Sequence, residues 1–211
     1  LNEGLQDWNT GEMVELASVG VYDPVSQMLT EVMGFEGSRF TTDIVVAEGS
    51  AFIGADNKIV KMNLNTFEIE AEVMLQGVRQ LAYFDGMIYV TRGDYDPVTF
   101  GSIAFDSYLV WFDAETLAWA GELPYEIGVG YASEGISIKE GVAYIAINNG
   151  FEFGQEVGIV GVYDLTTGDY SEHDLGDDGK NPSHIQVTDE EVLLVNNMDF
   201  SSTSLSRVEL P

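Results

Sequence analysis

The sequence predicts an all-β fold, a β-propeller built from four-stranded antiparallel blades, and three observations carry that prediction. Apolar stretches are short, alternate with polar positions and are split by Gly, Asp and Thr, which is the pattern of strands joined by tight hairpins. The pattern apolar-x-x-x-[Asp/Glu]-Gly-x-x-aromatic-apolar fits Ile44 to Ile53, Leu81 to Val90 and Ile136 to Ile145, and a fourth copy, Ile185 to Leu194, keeps the register with Glu190 in place of Gly and Leu193 in place of the aromatic residue. A second pattern, [Asp/Asn]-x-x-[Ser/Thr], stands at Asp23 to Ser26, Asn63 to Thr66, Asp113 to Thr116 and Asp164 to Thr167, alternating with the first at spacings of 40, 50 and 51 residues.

Each pattern has a chemical reason. Gly takes positive φ without a Cβ clash, so it suits the tight hairpin between the first and second strands of a unit. The Glu190 copy therefore predicts a strained or different turn. In the second pattern, the Asp or Asn side chain accepts hydrogen bonds from backbone amides ahead of it and the Ser or Thr hydroxyl does the same, fixing the turn between strands three and four. One complete unit spans Glu134 to Asp169: strand, Glu-Gly turn, strand, loop, strand, Asp-centred turn, and the start of a fourth strand. Four strands in about 45 residues make one propeller blade.

Taken in order, residues 1–211 read as a single propeller domain with blades at about 1–35, 40–75, 78–123, 131–175 and 183–211. In the first blade, Leu1 to Gly4 is the tail of a second strand, Leu5 to Gly11 a polar loop, Met13 to Tyr22 a third strand and Met28 to Met33 a fourth. Blade two has short loops throughout. Blade three carries the insertion Arg92 to Asp106 between its second and third strands, blade four carries Asn149 to Glu156 at the same place, and blade five crosses Asn196 to Thr203 before its third strand. The first and last blades are incomplete, so Leu1 and Pro211 are expected to border further polypeptide or a partner chain, because open sheet edges invite pairing.

Composition narrows the function. There are 36 acidic residues against 8 basic ones, a formal charge of -28, which repels nucleic acid and anionic membrane surfaces. Solvation in a saline or extracellular setting is the simpler meaning of that excess, cation binding the sharper one. With 45% hydrophobic residues the chain has ample material for a core, and no apolar run approaches the roughly 20 residues that span a bilayer, so direct membrane insertion is not expected. Cysteine is absent, which excludes disulfides, thiolate chemistry and Cys-ligated zinc. Leu1 opens directly on strand-like sequence with no recognisable signal peptide.

Several stretches resemble a known family: LNEG with SVGVYDP (Leu1 to Gly4, Ser18 to Pro24), VRQLAYFDGMIYVT (Val78 to Thr91), EGISIKEGVAYIAINNG (Glu134 to Gly150), VGVYDLTTGD (Val160 to Asp169) and NPSHIQV (Asn181 to Val187). They look like the YVTN-type β-propeller repeat proteins, in particular the seven-bladed propellers of Bacteroidota cell surfaces, many of them lipoproteins encoded beside TonB-dependent transporters. The resemblance implies a ring of about seven blades, of which four to five are present here, and a location outside the cell or on the outer membrane. It specifies a fold and not a reaction. Some relatives capture cobalamin and pass it to such a transporter, so cobalamin, a glycan and a protein partner are the ligand classes that the resemblance implies.

The candidate site follows from loop position. In a propeller the loops between strands two and three open on one face together with the blade-to-blade connections, and every long loop of this sequence belongs to that set. Those loops hold Trp8, Tyr95, Phe100, Phe105, Phe151, Phe153 and Phe200, with Tyr125 and Tyr131 in a connection. Aromatic rings in polar loops are either packed under the loop or left to meet a ligand, and about half are expected to staple their own loops. Asp94 and Asp96 are candidate calcium ligands, although the further carboxylates and the Gly of a dedicated calcium loop are missing; no other cofactor is expected. Catalysis lacks an anchor: there is no phosphate-binding Gly-Lys-Ser/Thr loop, no Gly-x-Ser-x-Gly elbow and no His-x-x-x-His pair, and His184 reads as a satisfied structural residue of an innermost strand. A non-catalytic binding protein is the leading expectation. The alternative is a propeller enzyme of the lactonase or quinoprotein type with calcium and carboxylates at the central channel.

Overall fold

A computed structural model describes residues 1–7, 10 and 12–209, and it is all-β apart from one short 3-10 turn at Asp177–Gly179. The chain divides into two compact units, Leu1–Val78 and Arg79–Pro211.

The first unit opens with a small hairpin, β1 (Leu5–Gln6) against β2 (Met13–Glu15), in the stretch expected as a polar loop and the start of a strand. The long strand begins only at Ser18: β3 (Ser18–Asp23) pairs with β4 (Met28–Gly34). Asn2 does occupy the second-strand place beside β3, exchanging backbone bonds with Ser18 at 2.8 and 2.9 Å. Next comes a complete blade, β5 (Thr41–Ala47), β6 (Ser50–Ala55), β7 (Lys58–Asn63) and β8 (Ile69–Met74), paired in sequence order. Every residue of β6 is buried, as expected of a strand covered on both faces. Ala17, Val19 and Phe35 pack with Ala51, Ile53, Val60 and Met62 into the core of this unit.

The second unit holds two further complete blades. The first is β9 (Val78–Phe84), β10 (Met87–Arg92), β11 (Ser107–Asp113) and β12 (Trp119–Pro124); the next is β13 (Ser133–Lys139), β14 (Val142–Ile147), β15 (Ile159–Asp164) and β16 (Tyr170–Asp174). A three-stranded sheet follows among the described residues, β17 (Pro182–Val187), β18 (Glu191–Asn196) and β19 (Ser204–Glu209). Leu109, Val129, Ile136, Ile145 and Ile147 form one buried cluster between the two complete blades, and Ala146, Val160, Ile185 and Leu194 form another between the second of them and the three-stranded sheet. Thr91, fully buried, ties β10 to β13 by donating its hydroxyl to the Glu134 carbonyl at 2.5 Å and accepting the Gln80 N–H at 3.0 Å.

The turns follow the sequence patterns atom by atom. Both central residues are left-handed at Glu48 and Gly49, at Asp85 and Gly86, and at Glu140 and Gly141, which is the backbone of a type I′ hairpin. At the fourth copy no residue from Thr188 to Glu191 has positive φ. There Thr188 closes the turn instead: its Oγ1 accepts the Glu190 and Glu191 amides at 3.3 and 3.1 Å and donates to the Glu191 carbonyl at 3.0 Å. His184 departs from expectation. His184 is exposed, on the opposite side of β17 from Ile185, which goes into the core; a register shift lies just before it, between Pro182 and His184.

Candidate functional site: an aromatic loop face

Antiparallel order puts the loop between a blade's second and third strands at the end opposite its two tight turns, and in the second unit these loops carry six of the seven aromatic residues expected to form the site. Trp8, the seventh, lies outside the described residues.

The loop between β10 and β11 has a fixed base. Arg92 donates to the Ser107 carbonyl at 3.1 Å and lays its guanidinium over Phe105, 3.9 Å from the ring centre, while Phe105 meets Tyr108 edge-on at 5.8 Å. Phe105 is half-buried and serves as a staple. Beyond it the loop forms a miniature hairpin in which Tyr95 bridges Ser102. At its tip Asp96 accepts the Phe100 N–H on its carbonyl at 2.7 Å, donates its own N–H to Gly101 at 2.9 Å, and takes the Val98 and Thr99 amides on Oδ1 at 2.8 and 3.0 Å. These are the bonds of the Asp-x-x-[Ser/Thr] turns. At Asp113, for comparison, the Leu117 N–H reaches the Asp113 carbonyl at 2.8 Å, and Oδ1 takes the Thr116 amide at 2.8 Å.

The tip is therefore a fifth copy of the marker turn, which the sequence reading missed because it lies outside the third-to-fourth-strand position. The signal was in view, since Asp96-Pro97-Val98-Thr99 repeats Asp23-Pro24-Val25-Ser26. These amide bonds hold the Asp96 carboxyl below the ordinary carboxylate range, the bond from Thr99 first. Asp94 is buried and accepts the Tyr95 N–H at 2.8 Å. Both calcium candidates thus bind backbone, and no group of three or more His, Asp or Glu side chains arranged for a metal occurs among the described residues.

The loop between β14 and β15 is equally ordered by its own bonds. Asn148 and Asn149 both donate their amides to the Ala132 carbonyl, at 3.1 and 2.9 Å, and the Asn149 side chain donates to Glu152 and to the Gln155 carbonyl at 3.3 and 3.1 Å. Phe151 is half-buried. It stacks on Tyr95 with ring centres 6.1 Å apart, and the Arg79 guanidinium lies 5.2 Å from its centre. Arg79 is in turn paired with Glu134 at 2.8 Å. The ring crowds Gly93 so closely that a Cβ there would stand 2.7 Å from it. Arg79 and Gly93 are site residues that sequence reasoning did not single out.

Tyr95 also stacks with Phe100 at 6.2 Å and 8° between planes, so Tyr95 links Phe100 and Phe151 in one row of rings. Two residues on, Phe153 meets Phe200 of the β18–β19 loop at 6.2 Å. Asp199 fixes that loop by accepting the Ser201 amide and hydroxyl at 3.1 and 2.7 Å. Phe100, at one end of the row, and the separate pair Phe153 and Phe200 are 62%, 76% and 61% exposed and face solvent, and Tyr125 and Tyr131 of the β12–β13 connection are exposed as well. Of the six described aromatic residues in these loops, Tyr95, Phe105 and Phe151 are half-buried, while Phe100, Phe153 and Phe200 are exposed.

Among solved structures, the chain is similar to the hydrazine synthase of Kuenenia stuttgartiensis, with a TM-score of 0.61 and 15% identity over 83% of this chain and 49% of that one. It is also similar to BamB from Moraxella catarrhalis, with a TM-score of 0.52 and 12% identity over 85% of this chain and 52% of that one. The chain thus spans about half the length of these two structures. No family model and no curated protein matches it. At such identities the likeness speaks to fold alone, and both neighbours are β-propellers. With its antiparallel four-stranded blades, the chain has the β-propeller fold.

Proposed function

We propose that this chain is a non-catalytic binding protein of the cell surface or extracellular space, which captures a ligand or docks a partner on the aromatic loop face of its propeller. The observation that carries the reading is the trio Phe100, Phe153 and Phe200, largely exposed on loops held in place by their own hydrogen bonds. Exposed rings on a pre-ordered frame suit recognition, because little conformational freedom is lost on binding. The resemblance to YVTN-type propellers of Bacteroidota surfaces adds a setting, as an accessory of a TonB-dependent outer-membrane transporter. A glycan, cobalamin or the transporter itself are the ligand classes to test. No helix among the described residues is long and apolar enough to cross a membrane.

The test is titration calorimetry of the wild type and of the Phe100→Ala/Phe153→Ala/Phe200→Ala variant against cobalamin, an oligosaccharide panel and a purified TonB-dependent transporter. Binding that the variant loses supports the reading. Binding that it retains in full removes the loop face as the site.

A further inference from the structure

The three ligand classes differ in what they demand of the protein, and the surroundings of the rings discriminate between them. Loop and connection residues 92–106, 148–158, 174–181 and 197–203 contain nine carboxylates, at Asp94, Asp96, Asp106, Glu152, Glu156, Asp174, Asp177, Asp178 and Asp199, against two cations, Arg92 and Lys180. Arg92 is committed to Phe105 and the Ser107 carbonyl, and Lys180 lies 3.4 Å from Asp177. The rim around the rings is therefore strongly negative. Hydrogen bonds hold Asp96 and Asp199 below the ordinary carboxylate range, which keeps them ionised.

A cleft of about 720 Å³ opens beside the Phe153–Phe200 pair, lined by Glu156, Glu172, Asp174 and Asp177, with Lys180 the cation among its described lining residues. Two bonds tie it to the ring loops. Glu156 accepts the Gly154 N–H at 3.0 Å, next to Phe153, and the Lys180 carbonyl accepts the Met198 N–H at 3.1 Å, two residues from Phe200.

The three most exposed rings, Phe100, Phe153 and Phe200, are all phenyl, with no hydrogen-bonding edge for sugar hydroxyls, and the hydroxyl-bearing Tyr125 and Tyr131 belong instead to the β12–β13 connection. The nearby Asn149 amide, which would offer one, is spent inside its own loop. A second copy of this chain would bring the same charge of -28, and an anionic lipid surface would be repelled as well. The complementary ligand is cationic and apolar together.

We infer that the loop face binds a basic polypeptide segment, its apolar side chains resting on Phe100, Phe153 and Phe200 and its Lys or Arg side chains on the carboxylate rim and in the adjoining cleft. The inference rests on the binding reading above and narrows its ligand. Aromatic anchors inside a charged rim are the usual division of labour at interfaces: the rings supply affinity, and the charges supply steering and choice of partner.

The experiment uses fluorescence anisotropy with a labelled peptide of alternating Lys and Phe, a second with every Lys replaced by Glu, and a third with every Phe replaced by Ser. Each is titrated with wild type, Phe153→Ala/Phe200→Ala and Glu152→Gln/Glu156→Gln, with melting curves to confirm that the variants fold. The first peptide is expected to bind and the other two not, with affinity falling roughly tenfold in the phenylalanine variant. It should fall several-fold in the glutamine variant and again when salt is raised from about 0.05 M to about 0.3 M. Binding that senses charge but ignores the loss of both rings overturns the inference. Failure of every peptide, with cobalamin or a neutral oligosaccharide binding in a ring-dependent way, also overturns it while leaving the loop-face reading intact. Should no ligand of any class sense the rings, both readings fall.

Discussion

Phe100 donates its backbone N–H to the Asp96 carbonyl across 2.7 Å, and that bond closes a turn in which a largely exposed phenyl ring sits in left-handed backbone at φ 57°. A bulky residue is unfavourable there, so the Asp96 carboxylate, with its two amide bonds, is what holds the ring on display. Asp96→Ala is expected to leave the blades folded and to loosen the tip. Hydrogen exchange at the Val98 and Thr99 amides should accelerate, and binding to the loop face should weaken several-fold. Unchanged exchange at both amides would show that the carboxylate does not hold the turn.

The same chemistry repeats at Asp113, whose Oδ1 takes the Thr116 amide at 2.8 Å and its hydroxyl at 2.6 Å. Replacing it with alanine removes these bonds from a turn that also places Leu117, a buried residue at φ 54°. Asp113→Ala should cost about 1 kcal/mol in denaturant unfolding. A change within error would mean that backbone bonds alone hold the turn.

Much of this was legible from local chemistry. A Glu-Gly or Asp-Gly pair between alternating runs specifies a type I′ hairpin, and the marker turns name their own carboxylate and hydroxyl. What escaped was non-local or substituted. Arg79 and Phe151 are 72 positions apart in the sequence, and nothing in either neighbourhood announces that a guanidinium from an innermost strand will lie on that ring. Thr188 does with a hydroxyl what Gly does with positive φ, so the altered turn was foreseen but not its mechanism. His184 was misjudged because alternation with the buried Ile185 puts it on the exposed side of its strand.

Acid should act on the turns first. At Asp164 the bonds from the Thr167 and then the Thr166 amide hold the carboxyl below its ordinary value, and at Asp23 the Ser26 hydroxyl and then the Val25 amide do the same. A carboxyl lowered in the folded state binds fewer protons there than in the unfolded chain. Its contribution is therefore complete above the unfolded value of about 3.9 and is lost as pH falls from there through the folded value. Carboxyl NMR titration should place the Asp164 and Asp23 midpoints below that of an unstructured Asp peptide, with stability declining below about pH 4. Midpoints at or above the peptide's contradict the hydrogen bonding described.

Gly93 is the place where the site is most sensitive to one added methyl. Its Cβ would stand 2.7 Å from the Phe151 ring and 3.0 Å from the Ala132 Cβ, and the ring is already held by Tyr95 and Arg79. Gly93→Ala should cost roughly 1–3 kcal/mol by overpacking, and the shifted ring should alter the near-ultraviolet circular dichroism. A Gly93→Ala/Phe151→Ala double variant, with the obstruction gone, should recover part of that loss. If the two substitutions were simply additive, the contact would not be the cause.

Thr91 controls how the loops of two neighbouring blades meet. Its buried hydroxyl satisfies the Glu134 carbonyl on β13 and the Gln80 amide on β9, and the Glu134 side chain continues from there to Arg79, which carries Phe151. Thr91→Val keeps the shape and removes the hydroxyl, leaving a buried acceptor and a buried donor without their partner, at an expected cost of about 1–3 kcal/mol. Thr91→Ser keeps the hydroxyl and loses only a methyl, so it should cost less than the valine change. The two variants separate polarity from packing. If serine proved as damaging as valine, the methyl rather than the hydroxyl would be what joins the blades, and the alignment of Tyr95 with Phe151 would then depend on packing in the seam.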